Sequence, residues 1–115
     1  MELVKPLIKA MRCDAFTQPY LCTDATGVLV QARGRCDRSH FWVLVAPERH
    51  VLFEYTRRHN AAAVDQLLKG YKGFVVADAH AVYDHLYGPE GATEAGCWSH
   101  NRRYYHTTLS AYRRR

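Results

Sequence analysis

Between His40 and Ala46 the chain reads Phe41-Trp42-Val43-Leu44-Val45 with no polar interruption. Aromatic and β-branched side chains at such density suit a pleated strand, and an unbroken apolar run suits one covered on both faces. A sheet is therefore required. Pro47 to Arg49 reads as a turn and Val51 to Tyr55 as the next strand. Upstream, Tyr20 to Thr23 reads as a strand that continues from Val28 to Ala32 after a bend at Gly27, with Arg33 to Ser39 a polar turn. Three strands joined by short turns can pair as an antiparallel meander.

The second half changes period. Asn60 suits an N-cap, Ala61, Val64, Leu67 and Leu68 form an apolar helical stripe, and Gly70 ends it. Phe74 to Ala77 is a short apolar strand closed by Asp78. Ala81 to Leu86 reads as a helix ended by Gly88-Pro89, Glu94 to Cys97 as a fifth strand, and Ser99 to Tyr112 as a last helix. A leading helix spans Leu3 to Met11, with Pro6 tolerated near its first turn. In the last helix Trp98, Tyr105, Leu109 and Tyr112 share one stripe that could dock on a sheet, with Arg102, His106 and Arg113 along its flank. Trp42 and Trp98 read as core residues.

Three meandering strands followed by alternating helices and strands is the element order of an α/β, ribonuclease-H-like domain. The expected sheet is mixed, of about five strands (three antiparallel, then two parallel), with helices on both faces. Residues 1–115 are one domain's length.

Composition narrows the function classes. Hydrophobic residues at 48% and charged residues at 23% match an ordinary globular chain. No apolar run approaches the ~18 residues of a membrane span, and Met1 to Met11 has no h-region or cleavage site of an export signal. The expectation is a cytoplasmic protein with no membrane partner. Cys13, Cys22, Cys36 and Cys97 have no C-x-x-C spacing and read as free thiols; the Cys97-x-x-His100 spacing lacks the second pair that a structural zinc needs.

Charge is segregated. Residues 1–95 hold eleven bases and eleven acids, whereas residues 96–115 hold Arg102, Arg103, Arg113, Arg114 and Arg115 and no acid. Such a segment fits a polyanion partner, nucleic acid first, or a solvated helix face with a basic tail.

Two aspartates stand at strand ends, Asp24 after Tyr20-Leu21-Cys22-Thr23 and Asp78 after Phe74-Val75-Val76-Ala77. If those strands are parallel neighbours, both carboxylates meet at one end of the sheet. Paired carboxylates repel unless a cation neutralises them, and hard oxygen donors select Mg²⁺ or Mn²⁺. Capping of the following turn is the other role open to each. His80 reads as an exposed residue at a helix start, and no small-molecule cofactor is indicated.

These residues carry a resemblance. Phe74-Val75-Val76-Ala77-Asp78-Ala79-His80-Ala81-Val82-Tyr83-Asp84-His85-Leu86-Tyr87 resembles the second-aspartate motif of the insertion-sequence-sixty-six family of bacterial transposases. Gly96-Cys97-Trp98-Ser99-His100-Asn101-Arg102-Arg103 is similar to that family's Gly-Cys-Trp-Ala-His-x-Arg-Arg block, and Leu21-Cys22-Thr23-Asp24-Ala25-Thr26-Gly27-Val28 to its first-aspartate motif, with Ala25 and Gly27 where the family has Glu and Pro. The resemblance implies that Asp24 and Asp78 are catalytic metal ligands, the first two acids of a DDE triad, in an enzyme that cuts and transfers DNA strands. It places the third acid, a Glu, on a helix further downstream; Glu90 and Glu94 precede the fifth strand and do not substitute. The chain is thus expected to be a central, partial transposase core, inactive alone and weak in metal binding. His100 lies within the matching block, where it is expected to shape the site. With Arg102, Arg103 and Arg113 it forms the candidate DNA-contacting set. The alternative is a non-catalytic module that binds nucleic acid or forms a homodimer.

Overall fold

A computed structural model of the chain describes residues 2–112, so Arg113 and the two arginines after it lie outside the described residues. A 3-10 turn at Glu2–Val4 leads into α1 (Lys5–Ala15). There follow β1 (Tyr20–Ala32), β2 (Arg35–Ala46), β3 (His50–Thr56), α2 (Ala61–Leu68), β4 (Phe74–Ala77), a 3-10 segment at Ala81–Leu86, β5 (Thr93–Gly96) and α3 (Trp98–Tyr112). One mixed sheet results, in the order β3-β2-β1-β4-β5. The first three strands are antiparallel, and β1, β4 and β5 run parallel. This is the expected α/β architecture, a five-stranded mixed sheet flanked by helices and consistent with a ribonuclease-H-like fold. Among the described residues no helix is long and apolar enough to cross a membrane.

Local chemistry explains the helix limits. The Asn60 side chain accepts from the Ala63 N–H at 3.1 Å, and Gly70 takes φ +88° just past the helix end. Arg12 donates to the carbonyls of Gln66 and Leu67 at the C-terminal end of α2 and also pairs with Glu54 at 3.2 Å, fastening α1 to α2 and β3.

The core lies on one face of the sheet. Leu21, Trp42, Leu44, Leu52, Val75 and Ala77 point to it and meet Ala15, Val64, Leu67 and Leu68 from the helices. The opposite face is open: Phe41, Phe53 and Phe74 remain 47%, 70% and 53% exposed. The apolar run at Phe41–Val45 therefore alternates between a sealed and an open side, where sequence suggested cover on both. Nor does α3 dock its aromatic stripe, since Trp98 is 83% exposed and Tyr105, Leu109 and Tyr112 are open to solvent. Trp42 is a core residue as expected; Trp98 is not. Sequence periodicity identifies an apolar helical face but not what covers it.

Gly27 does not bend the strand. It stays in the β1–β2 ladder opposite His40, so pairing runs unbroken from Cys22↔Val45 to Ala32↔Arg35, and only Arg33-Gly34 is left as the turn. β4 is seated by a hydrogen bond of 3.0 Å from the Phe74 N–H to the Pro19 carbonyl. Gly73 permits this approach, because a Cβ there would lie 2.7 Å from the Pro19 carbonyl oxygen and overlap the Tyr71 hydroxyl. Gly73→Ala should therefore destabilise the fold by ~1–3 kcal/mol, the usual cost of overpacking, read as a lower urea midpoint at unchanged slope.

Candidate metal and nucleic-acid site

The β1–β4 register places Tyr20 beside Phe74, Leu21 beside Val75 and Cys22 beside Val76. Two residues further along each strand stand Asp24 and Asp78, level with each other and, by strand alternation, on the open face. The first turn of α3 adds His100. One ligand atom from each of Asp24, Asp78 and His100 lies within 4.8 Å of the others. His100 Nε2 is 3.9 Å from Asp24 Oδ1, and the imidazole is largely buried while the Asp24 carboxylate stays half exposed. Asp24 Oδ1 also accepts from the Ala25 N–H at 2.9 Å, but β1 runs on through Asp24 to Ala32, so no turn follows for it to cap.

Two carboxylates and one imidazole make a donor set that suits a divalent cation: oxygen ligands for Mg²⁺ or Mn²⁺, and a nitrogen that favours Mn²⁺ of the two. Tyr83 lies buried in the core, and burial pushes its phenol well up, with the charges of Asp78 and Asp24 adding to the rise. Tyr83 therefore stays neutral beneath the site.

The cluster opens into a cleft of about 550 Å³ whose other lining includes Thr26, Gly27, Arg103, Tyr104 and Thr107. His100, Arg103, Tyr104 and Thr107 are spaced i, i+3, i+4 and i+7, one helical face turned to the carboxylates. That spacing was available in the sequence, although attention to the aromatic stripe hides Tyr104 and Thr107. Arg102 does not line this cleft. It borders an adjoining hollow with Ser99, Arg103, His106 and Thr107. Arg113, the remaining member of the expected DNA-contacting set, lies outside the described residues. His80 is exposed and its Nδ1 accepts from the Val82 N–H at 3.1 Å, as a residue at a helix start should.

The helix that carries His100 is tied to the strand that carries Asp78. Cys97 donates its N–H to the Ala77 carbonyl at 3.0 Å, and its own carbonyl accepts from His100 and Asn101. Its thiol meets the amide end of α3: the His100 backbone N–H, with the His100 ring and the Ser99 N–H, draws its pKa below the ordinary thiol value. Burial raises that of Cys22. All four cysteines are free thiols.

A five-stranded mixed sheet of this order, flanked by helices, is consistent with the ribonuclease-H-like class. Residues 1–115 match the family described as Transposase IS66 family, of DDE type. The chain belongs to this transposase family, and membership points to DNA as partner and to a divalent metal as cofactor. No curated protein and no solved structure matches the chain.

Cys97 should alkylate with iodoacetamide at a midpoint pH below that of Cys22, with rates resolved by mass spectrometry. Equal midpoints would show that the helix end does not reach the thiol.

Proposed function

We propose that this chain is the central part of a transposase catalytic core, in which Asp24 and Asp78 hold a divalent cation, Mg²⁺ or Mn²⁺, for cleavage and transfer of DNA strands. The observation that carries this reading is the convergence of Asp24, Asp78 and His100 within 4.8 Å, where Asp24 within β1 lies beside Asp78 just past the end of parallel β4. A divalent cation bound there would supply charge neutralisation at the phosphodiester and activation of the attacking hydroxyl. Asp24 and Asp78 are the acidic ligands, each held by its strand. His100 is the third ligand and orients the cluster from the first turn of α3. Arg103, on the same helical face, meets phosphate charge at the cleft mouth, and Arg102 contacts the DNA backbone from the adjoining hollow. Arg113 joins this DNA-contacting set by its charge. Among the described residues the cluster holds two acids and no Glu. Its metal affinity is accordingly weak, and strand cleavage by a DDE triad would need a third acid there.

Titration of free Mn²⁺ by its electron paramagnetic resonance signal tests the reading. The unaltered chain should bind Mn²⁺ more tightly than Mg²⁺. Asp24→Asn and Asp78→Asn should each abolish binding, and His100→Ala should weaken Mn²⁺ roughly tenfold and Mg²⁺ less, all with native circular dichroism. Mn²⁺ affinity unchanged in both aspartate variants would refute it.

A second reading, a self-associating module, is supported by the open sheet face around Phe41, Phe53 and Phe74 and by the uncovered stripe of α3. It requires a concentration-dependent dimer in sedimentation equilibrium that survives Asp24→Asn and Asp78→Asn. A monomer across the accessible concentration range refutes it.

A further inference from the structure

Residues 1–95 are electrically neutral as a stretch of sequence, yet the fold gathers their charges unevenly. Arg33, Arg35 and Arg38 lie at the β1–β2 hairpin end, and Arg57 and Arg58 in the turn that follows β3; all five are exposed. Arg35, Arg38, Arg57 and Arg58 border one groove of about 540 Å³ on the sheet, with Val30, Ser39 and Tyr55. Its one acid, Asp37, is held by Arg35 at 2.9 Å. Among the described residues, Arg33, Arg38, Arg57 and Arg58 have no carboxylate partner. A neighbouring hollow shares Arg57 and Arg58 and adds Asn60 and Gln66, with no acid in its lining.

Buried contacts fasten this surface. Trp42 Nε1–H donates to Thr56 Oγ1 at 2.7 Å, and the Thr56 hydroxyl donates to the Arg58 carbonyl at 2.9 Å. His59 stacks on the Trp42 ring with centroids 4.8 Å apart and planes 13° from parallel. Tyr55 donates its hydroxyl to Ser39 at 2.9 Å across the same strands. The backbone of the Arg57-Arg58 turn is thereby fixed by a core tryptophan, so these guanidinium groups lose less freedom on meeting a ligand than those of a loose loop.

The groove also continues the metal site. Pairing along β1 is unbroken, so Asp24, Thr26, Val30 and Ala32 share one face of one strand. Asp24 and Thr26 border the carboxylate cleft, and Val30 and Ala32 border the basic groove. Arg38 pairs with Leu29, and its Nε lies 3.4 Å from the point a Gly27 Cβ would occupy, on the face of β1 opposite Asp24 and Thr26. The groove is therefore joined to the cleft through Val30 and Ala32 rather than through Arg38. From Asp24 to Val30 is ~20 Å at ~3.3 Å per residue, the rise of about six base pairs.

We infer that the hairpin end and the Arg57-Arg58 turn form a second DNA-backbone contact surface. It would grip phosphates of the same duplex about six base pairs from the position held at Asp24 and Asp78, on the opposite flank of the cleft from α3. This rests on the DNA-processing reading above and adds the flank that holds the duplex. Guanidinium groups matched to phosphate, uncharged amide and hydroxyl donors beside them, and a rigid turn are what sequence-independent backbone binding needs.

Fluorescence anisotropy of a labelled 20-base-pair duplex, measured across a salt series, tests it with the full 115-residue chain. Each lost phosphate contact lowers the slope of log affinity against log salt by about 0.9. Arg57→Gln with Arg58→Gln should therefore lower the slope by nearly two, at unchanged Mn²⁺ affinity and thermal midpoint. Arg102→Gln with Arg103→Gln should lower it as well. If only the α3 pair changes the slope, the inference is overturned and the proposed function stands. Failure of the unaltered chain to bind duplex at 50 mM salt would overturn the inference directly. Loss of slope in the Arg57 and Arg58 variant of a chain that binds no Mn²⁺ would support the surface while refuting the metal reading.

Discussion

The Phe74 N–H donates to the Pro19 carbonyl at 3.0 Å, and the register this sets between β1 and β4 decides almost everything at the site. A slip of one residue would send Asp78 to the sealed face, into the core beside Trp42 and Tyr83. A slip of two would keep the face but separate the carboxylates by a further ~6.6 Å. The approach depends on Gly73, which has no side chain to collide with Pro19 or Tyr71, and on Tyr71, whose hydroxyl donates to the Gln18 carbonyl at 2.8 Å. Behind the register stands the packed core, with Leu21 and Val75 both fully buried. Ionic contacts add to it at the edges: Arg49 and His50 both reach Asp14 at the end of α1. Their main effect is to position α1, because exposed pairs contribute little to stability.

The site is assembled on both sides of a single hydrogen bond. Ala77 ends the strand that delivers Asp78, and its carbonyl receives the N–H of Cys97, the residue that starts the helix delivering His100. A strand and a helix contribute ligands that are far apart in sequence, yet their relative placement is set by neighbouring backbone atoms. This explains how α3 can keep no fully buried residue along its length and still hold its first turn against the carboxylates.

Elements whose limits are marked by local chemistry were legible in the sequence. Asn60 and Gly70 bracket α2, and Phe74 to Ala77 is β4 to the residue. The paired aspartates were legible too, because their placement followed from element order. Four features were not. Gly27 signals a bend in isolation, but cross-strand pairing keeps it extended opposite His40. The aromatic stripe of α3 signals burial, but periodicity carries no information about a partner surface. The basic groove vanished in the balance of charge along residues 1–95. Arg35, Arg38, Arg57 and Arg58 come together only when β2 pairs with β3, while most of the compensating acids fall elsewhere. His100 stood in a recognisable block, yet spacing along a chain does not show that a helix start will face two aspartates carried by neighbouring strands.

The continuity of β1 has one more consequence. A strand alternates its faces with every residue, so the distance from the carboxylates to the hairpin tip can change only in steps of two residues, each ~6.6 Å. An odd insertion between Asp24 and Val30 would turn the outer half of the hairpin over and aim its charges away from the cleft. Paired insertions would instead lengthen the arm while preserving its aim. The hairpin is thus a ruler graduated in residue pairs, and variation in its length among related chains should favour even numbers.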